Sequence, residues 1–241
     1  MGFGVVDVAN WIVRFLALTA ALVVGACSPS VDITSDQSWQ QDFDLSECDM
    51  ASTGRNEFFV LEPGFRLVLE GNNERLAITV LDETRLIDGV TTRVVEEREW
   101  KSDELIEVSR NFFAICEGTN DVFYFGEEVD DYKGGEIVGH AGAWFAGGDG
   151  ADAGLIMPGD PRIGMKYYQE IAPDVALDRA EVVSLDETLE TPAGLFTNCL
   201  RTHEGTAMNS NESEFKMYAS GIGLIQEQSL LLTEFGFVSA S

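Results

Sequence analysis

From Glu57 onward the chain is interrupted about every 8–12 residues by Gly, Pro, Asn, Asp or Ser, and the stretches between are β-branched and aromatic. That spacing suits consecutive antiparallel strands and leaves little room for helices. Strand segments are expected at residues 66–70, 75–81, 91–100, 104–115 and 121–128. Further segments follow at 136–140, 143–146, 165–171, 180–188, 195–203, 213–218 and 222–231. Gly71-Asn72-Asn73 predicts a tight hairpin, because Asn and Gly accept left-handed backbone. No segment of about ten residues or more carries a helical period. The fold class is therefore all-β: a curved antiparallel sheet, as an open or half barrel, with a long Gly-rich loop over 142–159.

A chain of 241 residues can bury a sizeable core. Its 42 acidic residues against 15 basic ones give a formal charge of −27. That charge excludes a sequence-independent nucleic-acid binder, which needs a basic face to displace counterions. Docking on anionic lipid through a basic patch is excluded on the same ground. The simplest account of the charge is a carboxylate surface that keeps the chain soluble in salt.

Arg14 is followed by an apolar and small-residue run over 15–26. It has the length of a signal-peptide core and is short of the roughly 20 residues that span a bilayer. At its end, Val24-Gly25-Ala26-Cys27 resembles the bacterial lipobox, in which small residues precede a lipidated cysteine. The resemblance implies cleavage before Cys27, acyl chains on its thiol and new amine, and stable anchoring by two or three chains. Ser28 at the following position implies export to the outer membrane, facing the periplasm. The expected organisation is a signal peptide over 1–26, a lipidated acidic tether over 27–51 that becomes ordered near Cys48, and a β-rich domain over 52–241.

With Cys27 acylated, Cys48, Cys116 and Cys199 remain, and an exported setting permits one disulfide among them. Three pairings are possible and the sequence does not choose between them. No Cys or His spacing fits a structural zinc site.

Two groups of side chains are candidate sites. Tyr124 and Phe125, Trp144 and Phe145 in the Gly-rich stretch, and Tyr167 and Tyr168 are the richest aromatic supply and could line a groove for an apolar ligand, with Trp144-Phe145 favoured by the Gly-rich loop beside them; otherwise they are core. Glu127, Glu128, Asp130 and Asp131 form a carboxylate run that could hold calcium, with Asp149 and Asp152 adding oxygens. The run lacks the ligand order of an EF-hand, and its plain reading is a solvated acidic turn. No Ser sits in a Gly-x-Ser-x-Gly elbow, and His140 and His203 have no evident catalytic partner, so nothing here points to hydrolysis. In residues 213–218, Phe215 and Met217 share one face and Glu214, Lys216 and Tyr218 the other, which reads as a half-solvated strand. In residues 121–128 both faces are apolar, so that strand is central or lines a cavity.

Segments 56–71, 121–128, 142–158, 162–170, 191–198 and 214–224 resemble an uncharacterised family of bacterial secreted proteins and lipoproteins. The turn from Tyr218 to Leu224 is also similar to open-barrel relatives of the periplasmic lipoprotein-carrier fold. The resemblance implies an all-β envelope protein and no particular chemistry. The functional expectation is a non-catalytic binding or assembly module for an apolar ligand or an envelope partner protein. The alternatives are a purely structural lipoprotein, or a calcium-dependent enzyme using the acidic run.

Overall fold

The antiparallel meander is realised in a computed structural model of the chain, which describes residues 38–238. The expected signal peptide over 1–26 and the expected lipidation site Cys27 lie outside the described residues. Short pieces come first: a single 3-10 turn at Leu45–Glu47, then β1 (Met50–Ala51), β2 (Gly54–Asn56) and β3 (Phe59–Leu61). A long meander follows through β4 (Phe65–Gly71), β5 (Glu74–Ile87), β6 (Val90–Lys101), β7 (Glu104–Cys116), β8 (Val122–Lys133) and β9 (Glu136–Gly139). The middle of the chain holds β10 (Trp144–Phe145), β11 (Asp152–Met157), β12 (Lys166–Tyr168) and β13 (Glu170–Ile171). A second meander runs through β14 (Asp178–Thr191), β15 (Gly194–Thr206), β16 (Ser213–Ala219), β17 (Gly223–Glu227) and β18 (Leu230–Phe237).

The turns explain the regularity. Asn72 and Asn73, Asp88 and Gly89, Ser102 and Asp103, and Gly134 and Gly135 all have positive φ, as two-residue type I′ hairpins require. Their twist matches that of the strands they join, so the sheet curls. Pairing of β18 with β4, with Leu232 opposite Leu69, joins the two meanders and rolls the sheet into a barrel.

One seam stays unsealed. Residues 166–171 lie along it and change partner midway. Tyr167 pairs with Ala180 on β14, whereas Glu170 pairs with Ala153 on β11. Between them the Gln169 amide donates to Asp178 O at 2.7 Å. The architecture is thus an almost closed antiparallel barrel.

Three local expectations are refined. The Gly-rich stretch contains β10 and β11, and the irregular part shrinks to residues 146–151. Glycines allow close approach here: a Cβ at Gly154 would stand 2.2 Å from Gln169 O, and one at Gly126 on the neighbouring β8 would stand 2.3 Å from Trp144 O. The acidic run is not a turn, because β8 continues through it to Lys133 alongside β7. Order also begins before Cys48. Trp39 packs edge-on against Tyr168 with the Arg179 guanidinium over its ring, and Phe43 packs on Phe123. Isolated aromatic anchors in a polar stretch have no period, so they were invisible to a pattern reading.

Cys48 bonds to Cys116 and fastens this outer segment to β7, while Cys199 is free and buried. That resolves the three open pairings.

Candidate functional site

The barrel lumen holds a partly open cavity of about 150 Å³. One end is stopped by the β2–β3 hairpin. Asn56 holds that hairpin by donating from Nδ2 to Asn120 O and Pro158 O and accepting the Phe58 amide at 2.7 Å. The Gly221 amide donates to Glu57 O at 2.7 Å from the opposite wall. Phe59, Val60, Phe65, Leu67, Phe113 and Leu224 form an apolar floor over the hairpin. Phe59 and Phe113 meet edge-to-face at 5.1 Å.

The lining changes character along each strand leading away from the hairpin. On β6 the inward positions run Val95, Glu97, Glu99, and on β16 they run Tyr218, Lys216, Glu214. On β17 Leu224 gives way to Glu227. Among the described residues, Glu97, Glu99, Glu170, Asp178, Glu204, Glu214 and Glu227 face this cavity together with a single lysine, Lys216.

Lys216 is the hub. Its Nζ lies 3.0 Å from Glu227 Oε1, 3.4 Å from Glu214 Oε1 and 3.6 Å from Glu204 Oε2. Glu204 also accepts hydrogen bonds from Thr202 Oγ1 at 2.6 Å and Tyr218 Oη at 3.0 Å. Burial alone would lower the lysine pKa, but Glu227, Glu214 and Glu204 reverse that and hold it well above its ordinary value. Burial pushes the Glu214 carboxyl up, Lys216 opposes it, Glu227 and Glu204 add to it, and a hydrogen bond with the Gln228 side chain draws it back. Burial, then the Glu204 charge, raises both Tyr167 and Tyr218.

The half-solvated reading of residues 213–218 is therefore corrected. The two faces divide as expected but point the other way: Glu214, Lys216 and Tyr218 look inward, while Phe215 is 46% exposed beneath the Arg201 guanidinium and beside His203. Polar-outward reasoning presumes an apolar interior, and this barrel has a polar one at one end.

The expected aromatic groove is split. Tyr124 lines the cavity, stacks on Phe113 and donates its hydroxyl to Asn111 Oδ1. Trp144 packs edge-on behind Tyr124 and donates Nε1–H to Glu170 Oε2 at 3.0 Å. Phe125 is buried on the other face of β8, as alternation demands. Phe145 packs outside with Phe112, 4.5 Å from the Arg85 guanidinium.

The carboxylate run is dispersed by the same alternation. Glu128 pairs with Arg85, and Asp130 with Arg110 and with His140 Nδ1 at 3.0 Å. Asp131 accepts the Ala141 amide, and Glu127 is buried. Among the described residues no group of three or more His, Cys, Asp and Glu is arranged to hold a metal.

Pattern reasoning missed the Lys216 hub. Its signal was present: two-residue steps from an apolar anchor, such as Val95 to Glu97 and Glu99, keep one face and carry charge onto it. Compared with known protein-family models, curated proteins and solved structures, the chain matches none. The site's chemistry accordingly rests on its own geometry.

Proposed function

We propose that this chain is an exported lipoprotein, anchored through Cys27, whose barrel is a non-catalytic binding module for a small molecule with an apolar portion. The observation that carries the reading is the cavity in the barrel with its floor of Phe59, Val60, Phe65, Leu67, Phe113 and Leu224. A pocket of about 150 Å³ over such a floor, partly open to the outside, can take an apolar body while the rest of a ligand reaches outward. The lipobox-like Val24–Cys27 supports the anchor.

Two measurements test the two parts. Native mass spectrometry after gentle purification, with titration of the fluorophore N-phenyl-1-naphthylamine, tests the cavity. Saturable fluorescence is expected, and Ile78→Trp, which fills the lumen, should abolish it while circular dichroism stays unchanged. Finding neither a carried mass nor saturable fluorescence would overturn the reading. For the anchor, Cys27→Ser should abolish incorporation of labelled palmitate and release the protein from membranes; unchanged labelling would refute it.

A further inference from the structure

We propose that the barrel rests on zwitterionic lipid with the end stopped by the β2–β3 hairpin, through an apolar face made by Leu195, Phe196, Phe235, Phe237 and Val238. This rests on the Cys27 anchor proposed above and adds which end meets the bilayer.

The first ground is the face itself. Leu195, Phe235, Phe237 and Val238 are large and apolar, yet 44–66% exposed. They belong to one continuous area. Phe196 meets Phe235 edge-on at 6.2 Å, and Phe237 meets Phe65 at 5.3 Å. The Val238 amide donates to Gly64 O at 2.8 Å, and the Ala193 amide donates to Leu232 O at 3.1 Å, which holds the β14–β15 turn against β18. The Arg55 guanidinium on β2 lies 5.9 Å from the Phe237 ring, so the face sits at the stopped end. Contiguous exposed apolar area of this kind marks a contact surface. None of its five side chains can form a conventional hydrogen bond. The face therefore offers burial without directional recognition, which suits lipid better than a specific protein partner.

The second ground is reach. Cys27 precedes Ser38, the first described residue, by eleven residues. An extended chain covers at most about 3.6 Å per residue, so acyl chains on Cys27 hold Ser38 within about 40 Å of the bilayer. Gln40 joins the barrel beside Tyr167, which pairs with Ala180 on β14. The Thr191 end of β14 lies a comparable length from Ala180, at about 3.3 Å per residue. The anchor thus lets the stopped end touch lipid. It also confines the barrel near the surface, where a face too small to recruit a free protein stays engaged through its effective concentration.

The third ground is charge. The other end of the lumen carries Glu204, Glu214 and Glu227 around Lys216, and such groups are costly to take out of water against a bilayer. At the stopped end Arg55 is neutralised by Glu62 at 2.7 Å. Glu190, opposite Leu195, and Glu234, beside Phe235, flank the face. With a net charge of −27 they disfavour anionic lipid and leave zwitterionic lipid as the partner.

The test uses the full, processed chain in vesicles of phosphatidylcholine and phosphatidylethanolamine that carry a nitroxide on the upper acyl chain. An environment-sensitive fluorophore is placed on Val238→Cys, or on Leu195→Cys if the first perturbs folding. A control label goes on Glu136→Cys of β9, at the opposite end. Cys48 and Cys116 are bonded and Cys199 is buried, so none of the three competes for the dye. Quenching at 238 is expected to exceed that at 136 by about threefold or more, with a blue-shifted emission. Phe235→Glu should bring it down to the control level, and Leu195→Glu serves the same purpose if circular dichroism shows the first variant unfolded. Protein that floats with the vesicles but is quenched no more at 238 than at 136 would overturn this inference and leave the anchor standing. A blue shift at 238 without quenching would overturn lipid in favour of a protein contact, such as a second copy. Quenching untouched by both glutamate variants would overturn the assignment to these side chains. Protein that does not float with the vesicles at all would overturn the anchor, and this inference with it.

Discussion

Lys216 Nζ and Glu227 Oε1 lie 3.0 Å apart across the β16–β17 pair, inside the barrel and not on its outer wall. An ion pair so placed acts differently from one in water. Its partners have lost hydration, and removing one strands the other.

Lys216→Met should therefore destabilise the protein by about 3 kcal/mol near neutral pH, measured by urea unfolding. The deficit should shrink below the ordinary glutamate value of 4.5, where the abandoned carboxylates take up protons. The wild type should show the complementary behaviour in base. The lysine pKa is raised on folding, so its contribution is complete below its ordinary value of 10.5 and is lost as pH rises through the folded value.

Glu214 has the opposite effect at neutral pH. Its carboxyl is raised on folding, chiefly by burial, so its stabilisation is complete below 4.5 and is lost as pH climbs through the folded value. Glu214→Gln should then raise Tm above neutrality by about 2–4 °C, the response of a domain this size to about 1 kcal/mol. The gain should vanish below the ordinary glutamate range. A scanning-calorimetry series across pH reads it directly.

Gly154→Ala bears on the seam. The added Cβ would stand 2.2 Å from Gln169 O, backbone that cannot swing aside. A loss of about 1–3 kcal/mol is expected. Faster hydrogen exchange should be confined at first to Gln169 and Glu170, and exchange at the β5–β6 pair should be unchanged.

Reduction of the Cys48–Cys116 bond, which spans 68 residues, should cost up to about 4 kcal/mol by releasing loop entropy to the unfolded chain. Cys199 should resist alkylation until the protein is denatured, because burial, then Glu187, pushes its thiol pKa up. Peptide mapping after alkylation without reductant distinguishes the three cysteines.

The strands were legible in the sequence because turn chemistry is local. Asn72-Asn73 and Ser102-Asp103 announce hairpins whatever surrounds them. Pairing of β18 with β4 was not legible, since it depends on how far every strand twists. The acidic run misled for another reason. Glu128 and Asp130 look like turn residues until Arg85 and Arg110 on neighbouring strands are placed beside them. Tyr124 was legible as a cavity candidate because both faces of its strand are apolar, whereas Glu214 and Lys216 were assigned to solvent by a rule that holds only for dry interiors.

The bridge from Cys48 to Cys116 also sets how the molecule bears a mechanical load. Tension entering along the chain at residue 38 crosses the sulfur–sulfur link into the end of β7, where hydrogen bonds to β6 and β8 share it in shear. The stopper hairpin and β4 to β6 lie within the covalent loop, shielded from that pull. Such a pull would leave the lumen's shape intact.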